Sequence, residues 1–233
     1  MARHLQPYQT DLIEQSMSVG ALKFGSFILK SGRTSPYFFN AGLLSTGPLL
    51  YTLASAYAST ISKSLSLPSS PLPKFDVLFG PAYKGISLAA CTALLLHKAH
   101  SFDIGFAYDR KEPKDHGEGG SMVGVSVEGK KVLILDDVMT AGTAIRGAID
   151  MIKKHGGEVV GVVLILDREE VGKEGGSTVK EVEELVGGPG RVTAILKMRD
   201  LMAWLEKSGQ TASLEQMQEY WEKYGIKDIE VLA

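Results

Sequence analysis

Two adjacent carboxylates and a short hydroxylated loop form the stretch of this chain with the clearest chemistry. Asp136 and Asp137 follow Val132–Leu135, an apolar, β-branched run typical of a buried strand in a parallel sheet. Thr140–Thr143 comes next and runs into a helical pattern. Ligands bind at the carboxyl ends of parallel strands, and a helix N-terminus offers unpaired N–H groups to an anion. The order therefore predicts a phosphate held by backbone amides, with carboxylates nearby for hydroxyl groups or a metal ion.

A second strand-to-helix turn carries a lysine. The apolar run Val77–Phe79 ends at Gly80, and Tyr83 and Lys84 follow before a predicted helix, Ile86–His97. A glycine-flanked lysine at such a turn suits a phosphate, although a loop lysine is more often only solvated. Two such turns in one sheet favour the ligand-binding interpretation.

The segment Asp109–Met122 has almost no apolar content and contains a glycine-rich stretch. Its cations are Arg110, Lys111, Lys114 and His116. Loops of this length are uncommon inside a compact domain and often act as lids. We predict a mobile surface loop whose cations serve a site where negative charge develops. A solvated hairpin of mixed charge is the alternative.

Two more regions place charged groups near aromatic or apolar runs. Phe24–Asn40 reads as a β-hairpin with a cationic turn at Lys30–Arg33 and two aromatic residues, Phe38 and Phe39, after it. A sheet edge with solvated charges and packed rings is the alternative for this hairpin. Arg168 follows an apolar strand predicted over Glu158–Asp167, where a solvated strand-end arginine is the common alternative.

Strands that alternate with helices predict an α/β fold with a mainly parallel sheet. Further strands are expected over Phe102–Tyr108 and Val192–Leu196. Helices are expected over Tyr8–Leu22, Gly47–Leu65, Ala144–His155, Val179–Leu185, Asp200–Lys207 and Ser213–Gly225. Ser213 and Gln216 have the spacing of a capping box.

Composition narrows the functional class. The chain has 233 residues and a net charge of −2, which gives no support to nucleic-acid or membrane-surface binding. The single cysteine, Cys91, excludes an intrachain disulfide and fits a reducing compartment. The N-terminus has no apolar signal region, so we expect a cytoplasmic protein. No G-x-G-x-x-G pattern is present, which argues against a Rossmann dinucleotide enzyme.

The ligand that these polar clusters suit has several phosphates and several hydroxyl groups. The Thr140–Thr143 loop would take a monophosphate, and Lys84 with the loop cations would take a second phosphate group. Asp136 and Asp137 would take vicinal hydroxyls, directly or through Mg²⁺, which prefers carboxylates, waters and phosphates. A sugar with a phosphate at one end and a pyrophosphate at the other satisfies all of these groups.

The motif VLILDDVMTAGTA resembles the ribose-phosphate motif of type I phosphoribosyltransferases. Three further blocks look like those of the orotate phosphoribosyltransferases and occur in that family's order. They are FxLKSGRxSPYFFNAG at Phe27–Gly42, GPAYKGI at Gly80–Ile86 and DRKExKDHGEGG at Asp109–Gly120. The chain has no room for a fused decarboxylase domain, so it is similar to the monofunctional microbial members.

This resemblance implies a type I phosphoribosyltransferase fold, with a mainly parallel twisted sheet flanked by helices. It implies one domain over residues 1–233, with an N-terminal hood over about 1–45, a core over about 46–200 and C-terminal helices over about 200–233. It also implies a flexible catalytic loop that reaches the neighbouring subunit's site in a homodimer, with no nucleic acid or membrane as partner.

The implied reaction transfers phosphoribose from 5-phosphoribosyl 1-pyrophosphate (PRPP) to N1 of orotate in pyrimidine biosynthesis, with Mg²⁺, and yields orotidine monophosphate and pyrophosphate. The implied catalytic residues are Lys114, His116, Asp136 and Asp137, the two acids also facing the metal, directly or through PRPP and water. The implied PRPP-binding residues are Lys30, Tyr83, Lys84, Arg110, Lys111, Lys114, His116, Asp136, Asp137, Val138, Met139, Thr140, Ala141, Gly142, Thr143 and Ala144. The implied orotate-binding residues are Phe38, Phe39, Thr140 and Arg168.

Two other functions stay open on the residues alone. The acidic pair and its loop would also serve a phosphoribosyltransferase for another base, such as a purine or uracil salvage enzyme. A PRPP-sensing regulator could keep the fold and bind ligand or RNA without turnover. Such a regulator would be expected to lose the loop cations and gain a basic face, whereas this chain keeps its loop cations and has a net charge of −2.

Overall fold

A six-stranded, mostly parallel sheet lies at the centre of the molecule. The computed structural model describes residues 4–29, 31–114, 120–172 and 175–227. Within these ranges the strands are β1 (Leu22–Ile28), β2 (Thr34–Phe39), β3 (Val77–Gly80), β4 (Gly105–Lys114), β5 (Gly120–Gly124), β6 (Lys131–Val138), β7 (Glu158–Asp167) and β8 (Val192–Lys197). The α-helices are α1 (Pro7–Ser18), α2 (Gly47–Ser66), α3 (Lys84–His100), α4 (Thr143–Lys154), α5 (Thr178–Leu185), α6 (Met198–Lys207) and α7 (Thr211–Tyr224).

The strand order β5-β4-β3-β6-β7-β8 brings the predicted turns to one edge of the sheet. Strands β3, β4, β6, β7 and β8 run parallel, and β5 pairs antiparallel with β4. The register sets Gly80 beside Tyr108, Asp136 beside Leu164 and Asp167 beside Lys197. The carboxyl ends of these strands therefore lie along the same edge, as the α/β prediction requires.

Strands β6 and β7 are buried on both faces, which explains their continuous apolar runs. Val132–Leu135 is buried throughout, and so is Val159–Leu166. Leu133 and Leu135 pack into the core cluster that includes α2 and α3, and Val132 and Ile134 pack into the cluster that includes α4 and α5. Both strand predictions are confirmed. None of the helices in the described ranges has the length and apolar character of a membrane span.

A separate two-stranded hairpin, β1 paired antiparallel with β2, lies against the C-terminal helices. The ring of Phe24 on β1 stacks on Trp204 of α6 with 6.4 Å between centroids. The α1 residue Gln9 donates from Nε2 to the carbonyl of Ile195 at 2.6 Å. The hairpin therefore packs on α6, and α1 is joined to the edge strand β8.

Several sequence predictions differ from the structure, among them the helix predicted over Tyr8–Leu22, which ends at Ser18 while Leu22 begins β1. Strand β4 continues to Lys114 and β5 begins at Gly120, so much of the predicted loop is a strand pair at the sheet edge. Edge strands pair through their backbones and need little apolar content, so composition alone indicated a loop. The capping box at Ser213 is wrong, because α7 begins at Thr211 with Gln210 as its N-cap. Helix α3 begins at Lys84, two residues before its predicted start.

Candidate active site

The two carboxylates at the end of β6 are held in different environments. Asp136 is half-buried, and its Oδ1 accepts a hydrogen bond of 2.9 Å from the backbone N–H of Asp137. Burial raises the pKa of Asp136 to about 6, against the effect of that hydrogen bond. The hydroxyl of Tyr57 donates to the backbone carbonyl of Asp136 at 2.7 Å. Tyr57 was not among the predicted site residues, because α2 carries no polar motif that points to this strand.

Lys84 joins the turn after β3 to the acidic pair. Its Nζ lies 2.7 Å from Oδ2 of Asp137. The turn packs closely on the end of β3, since a Cβ at Gly80 would overlap the carbonyl oxygen of Gly85. Lys84 is 59% exposed and Tyr83 is 74% exposed, so both side chains are available to a ligand at this edge.

The Thr140–Thr143 loop ends at a helix N-terminus that no side chain caps. Gly142 is the N-cap of α4 and has φ of +71°, a left-handed conformation that favours glycine. The first N–H groups of an α-helix have no partner inside the helix. Thr140 and Thr143 are exposed, whereas Met139 is buried. The loop therefore exposes hydroxyls and unpaired amides of the kind that bind anions, and the anion site stays a prediction.

The other residues predicted to bind PRPP around this loop differ in their exposure. Ala141 and Ala144 are exposed, and Val138 is half-buried. Val138 and Met139 pack against the two core clusters, Val138 on one side and Met139 on the other. These two residues can meet a ligand mainly through their backbones.

Asp109 connects β4 to the turn that carries Lys84. It is 6% exposed, and its Oδ1 accepts a hydrogen bond from the backbone N–H of Ala82. Its Oδ2 lies 3.4 Å from Nζ of Lys111. The sequence analysis assigned roles to the cations of this segment but not to Asp109. The position of Asp109 directly after the predicted strand Phe102–Tyr108 was a signal that could have identified it.

Some predicted residues lie outside the described part of the chain. Lys30 and His116 fall in the gaps between the described ranges, and the side chain of Lys114 at the end of β4 is likewise not described. Arg110 is half-buried and Lys111 is exposed. Both lie on β4 just past the level of Gly80, so they share the edge with Lys84.

Arg168 is enclosed, so the alternative of a solvated strand-end arginine is wrong. Its side chain is 11% exposed. Nη2 donates to Oγ of Ser35 at 2.9 Å, and Nε donates to Oε1 of Glu170 at 2.8 Å. The guanidinium lies 4.3 Å from the centroid of the Tyr37 ring. Sequence reasoning missed all three of these neighbours.

The two predicted aromatic residues of β2 do not share one face. Side chains alternate along a strand, so Phe39 lies on the same face as Tyr37, and Phe38 lies on the other. Phe39 is half-buried and packs on the core. Phe38 is 41% exposed, with its ring centroid 5.7 Å from that of Phe27. The structure brings Phe39, and not Phe38, to the face of β2 that contacts Arg168.

The acidic pair suits a magnesium ion that takes most of its ligands from elsewhere. Among the residues that the structure describes, no three His, Cys, Asp or Glu side chains cluster as a metal site. Mg²⁺ is usually bound by one or two carboxylates together with waters and substrate phosphates. Asp136 and Asp137 supply two carboxylates at the edge where phosphates are predicted, so the residues present fit this ion.

Comparison with known proteins is consistent with this geometry. Residues 52–193 match the model of the phosphoribosyl transferase domain. The orotate phosphoribosyltransferase of Acinetobacter baumannii strain ATCC 17978 is 49% identical over 214 residues, which cover 92% of this chain and 94% of that protein. The orotate phosphoribosyltransferase of Methylococcus capsulatus is 46% identical over 221 residues, covering 95% of this chain and 99% of that protein.

A solved structure gives the same result for the fold. The crystal structure of orotate phosphoribosyltransferase from Francisella tularensis superimposes with a TM-score of 0.81 and 40% identity, covering 93% of this chain and all of that one. The predicted type I phosphoribosyltransferase fold is confirmed. The described sheet edge, the domain match and the full-length relatives agree, and the chain belongs to the orotate phosphoribosyltransferase family.

Proposed function

We propose that this chain transfers the 5-phosphoribosyl group of PRPP to N1 of orotate, releasing pyrophosphate and forming orotidine monophosphate for pyrimidine synthesis. The observation that carries the site assignment is the contact between Lys84 and Asp137. The contact joins the lysine turn after β3 to the acidic pair of β6. The uncapped N-terminus of α4 follows that acidic pair in the chain. A ligand with a pyrophosphate, vicinal hydroxyls and a terminal phosphate matches that order of groups.

PRPP would lie along this edge with its 5′-phosphate at α4. The backbone N–H groups and hydroxyls of Thr140–Thr143, with Ala144, would bind that phosphate. Asp136 and Asp137 would bind the ribose hydroxyls. The cations that would face the pyrophosphate, beside Tyr83, are Lys84, Arg110, Lys111, Lys114 and His116. Lys30 would lie near the orotate or at the edge of the PRPP site.

The reaction is a displacement at the anomeric carbon of the ribose. Positive charge develops on the sugar while negative charge grows on the leaving pyrophosphate. Ionised Asp136 and Asp137 would stabilise the cationic ribosyl group, and Lys114 and His116 would stabilise the departing pyrophosphate. The attacking ring nitrogen needs no strong protein base, and we assign none.

Asp136 and Asp137 would hold Mg²⁺ together with PRPP oxygens and water. When bound, the ion neutralises part of the pyrophosphate charge and orients the leaving group. The residues of this chain would still bind the phosphate, fix the ribose and exclude water from the reacting centre.

Orotate would lie between β2 and the end of β7. Arg168 would bind its carboxylate, since a guanidinium suits a planar anion. Phe39 would pack beside the pyrimidine ring, with Phe38 at the rim and Thr140 at the ribose side. The cationic segment Asp109–Met122, which contains Lys114 and His116, would act across the interface of a homodimer, as the family resemblance implies.

An assay of pyrophosphate release with four bases tests this function. We expect Mg²⁺-dependent release with orotate and little with uracil, hypoxanthine or adenine. Equal or greater release with another base would favour the salvage enzyme. Binding of PRPP without turnover on any base, together with RNA binding at moderate salt, would favour the regulator.

A further inference from the structure

One edge of the Arg168 guanidinium is already occupied by protein. Oε1 of Glu170 lies 2.8 Å from Nε and 2.6 Å from Nη2 of Arg168. Oγ of Ser35 accepts a further hydrogen bond from the same Nη2 at 2.9 Å. None of these three contacts uses Nη1. These contacts hold the edge of the guanidinium formed by Nε and Nη2, and the Tyr220 side chain also interacts with Arg168 and Glu170. Nη1 is the nitrogen that the Glu170 and Ser35 contacts leave for a ligand.

The Tyr37 ring fixes the plane of the Arg168 guanidinium, in addition to the hydrogen bonds that fix its rotation within that plane. The Tyr37 ring lies 4.3 Å below it, and the side chains of Arg168 and Glu170 are only 11% and 13% exposed. A free arginine side chain has many rotamers, and ordering it on binding costs affinity. Arg168 is ordered before any ligand arrives, which is how binding sites reduce that cost.

Glu170 is itself held by the C-terminal end of the chain. It forms a β-bridge with Gly225, and the N–H of Val171 donates to the carbonyl of Tyr224 at 2.9 Å. Arg33 in the hairpin donates from Nη1 to the carbonyl of Val171 at 2.8 Å. The segment after β7 is thus held on two sides, by Arg33 in the hairpin turn and by the end of α7. This gives the C-terminal helix a role beyond filling the core.

We infer that Glu170 and Ser35 are positioning residues for the nucleobase substrate. They orient Arg168 so that its Nη1 meets the carboxylate of orotate, a group that uracil lacks. This inference deepens the proposed function and rests on it. It places base selection partly in residues that touch the arginine and not the base.

Steady-state kinetics of Glu170→Gln and Ser35→Ala test the inference. We expect Glu170→Gln to raise KM for orotate about tenfold and Ser35→Ala to raise it by a smaller factor, with KM for PRPP changed less than about twofold. A merely structural role would change both KM values together, or neither. KM for orotate unchanged or lowered in both folded variants would overturn the inference.

Glu169→Gln is the matched control. Glu169 is the adjacent acid, is 2% exposed and pairs with Arg199 at 2.8 Å instead of Arg168. We expect it to lower Tm while KM for orotate stays unchanged. If Glu170→Gln does not fold, Ser35→Ala decides alone. Failure of the wild-type chain to use orotate would overturn the proposed function, whereas turnover with unaltered KM in the variants would overturn only the positioning role.

Discussion

Nζ of Lys84 lies 2.7 Å from Oδ2 of Asp137, although 53 positions separate the two residues in the chain. The contact links the turn after β3 to the acidic pair at the end of β6, and these two strands are neighbours in the sheet. Lys84 is 59% exposed, and exposed ion pairs contribute only about 0–1 kcal/mol to stability. The ion pair therefore contributes little to the stability of the fold. Its main effect is to place the Lys84 charge beside the acidic pair.

Replacing Lys84 separates those two effects. We expect Lys84→Gln to raise KM for PRPP by about tenfold or more, because the proposed binding mode places this charge against the pyrophosphate. We expect Tm to change little, because the side chain is mostly exposed. Lys98→Gln, an exposed lysine near the other end of α3, is the control and should leave KM unchanged. A large drop in Tm without a change in KM would show that Lys84 is structural.

Asp136 is predicted to cost stability in its ionised form. Its folded pKa is about 6, above its ordinary value of 3.8, chiefly because of burial. Between those pH values the folded state binds more protons than the unfolded state, so the free energy of unfolding falls as pH rises through this window. Asp136→Asn should remove that decline. It should raise the free energy of unfolding at pH 7.5 by about 1–2 kcal/mol, discounted for partial exposure.

The same substitution should lower turnover by about a hundredfold, because the ribosyl cation loses a carboxylate. Urea unfolding at pH 5 and pH 7.5, with orotate turnover measured on the same samples, tests both effects. Wild-type turnover should also fall as pH drops below about 6, where Asp136 becomes protonated. A variant that is both less stable at pH 7.5 and fully active would contradict this account of Asp136.

Gly142 is predicted to be required for the conformation of the Thr140–Thr143 loop. Its φ of +71° disfavours any residue with a Cβ, and that Cβ would lie 3.0 Å from Cγ2 of Thr178. We expect Gly142→Ala to destabilise the fold by about 1–2 kcal/mol and to weaken PRPP binding. Gly147→Ala on the same helix has open space around its Cβ and should be neutral or stabilising. Thermal unfolding and KM for PRPP measure the pair.

The cationic segment Asp109–Met122 yields a prediction from sequence. Lys114→Ala should lose most turnover with only a modest change in PRPP binding, because its charge would act on the leaving group. Mixing Lys114→Ala with Asp136→Asn should restore part of the activity if the segment acts across a homodimer interface, since one site of a mixed dimer is then intact. Unchanged turnover in Lys114→Ala would contradict the role assigned to Lys114. If mixing the two variants restores no activity, the segment acts in the site of its own subunit.

Local sequence signals were sufficient for the sheet and for the edge where the site lies. The runs Val132–Leu135 and Val159–Leu166 are continuous because both faces of their strands are covered. Parallel strands end at one edge, so residues following them, such as Asp137 and Lys84, were expected to meet, and they do.

Contacts between distant segments were not predictable in this way. Ser35 and Arg168 are 133 positions apart, and no local pattern pairs a hairpin hydroxyl with a strand-end arginine. Asp109 and Ala82 meet because β3 and β4 are neighbours, which strand order alone decides. The extent of β4 was also missed, because backbone pairing at a sheet edge leaves no apolar signal.

The most direct test of the central claim is the stoichiometry of one reaction. Purified protein is incubated with PRPP, orotate and Mg²⁺, and orotate loss, orotidine monophosphate and pyrophosphate are quantified together, with chelator and no-orotate controls. We predict equal amounts of orotate consumed and of both products formed, and no pyrophosphate in either control. Pyrophosphate release without orotate, or orotate left unchanged while PRPP is consumed with another base, would contradict the account.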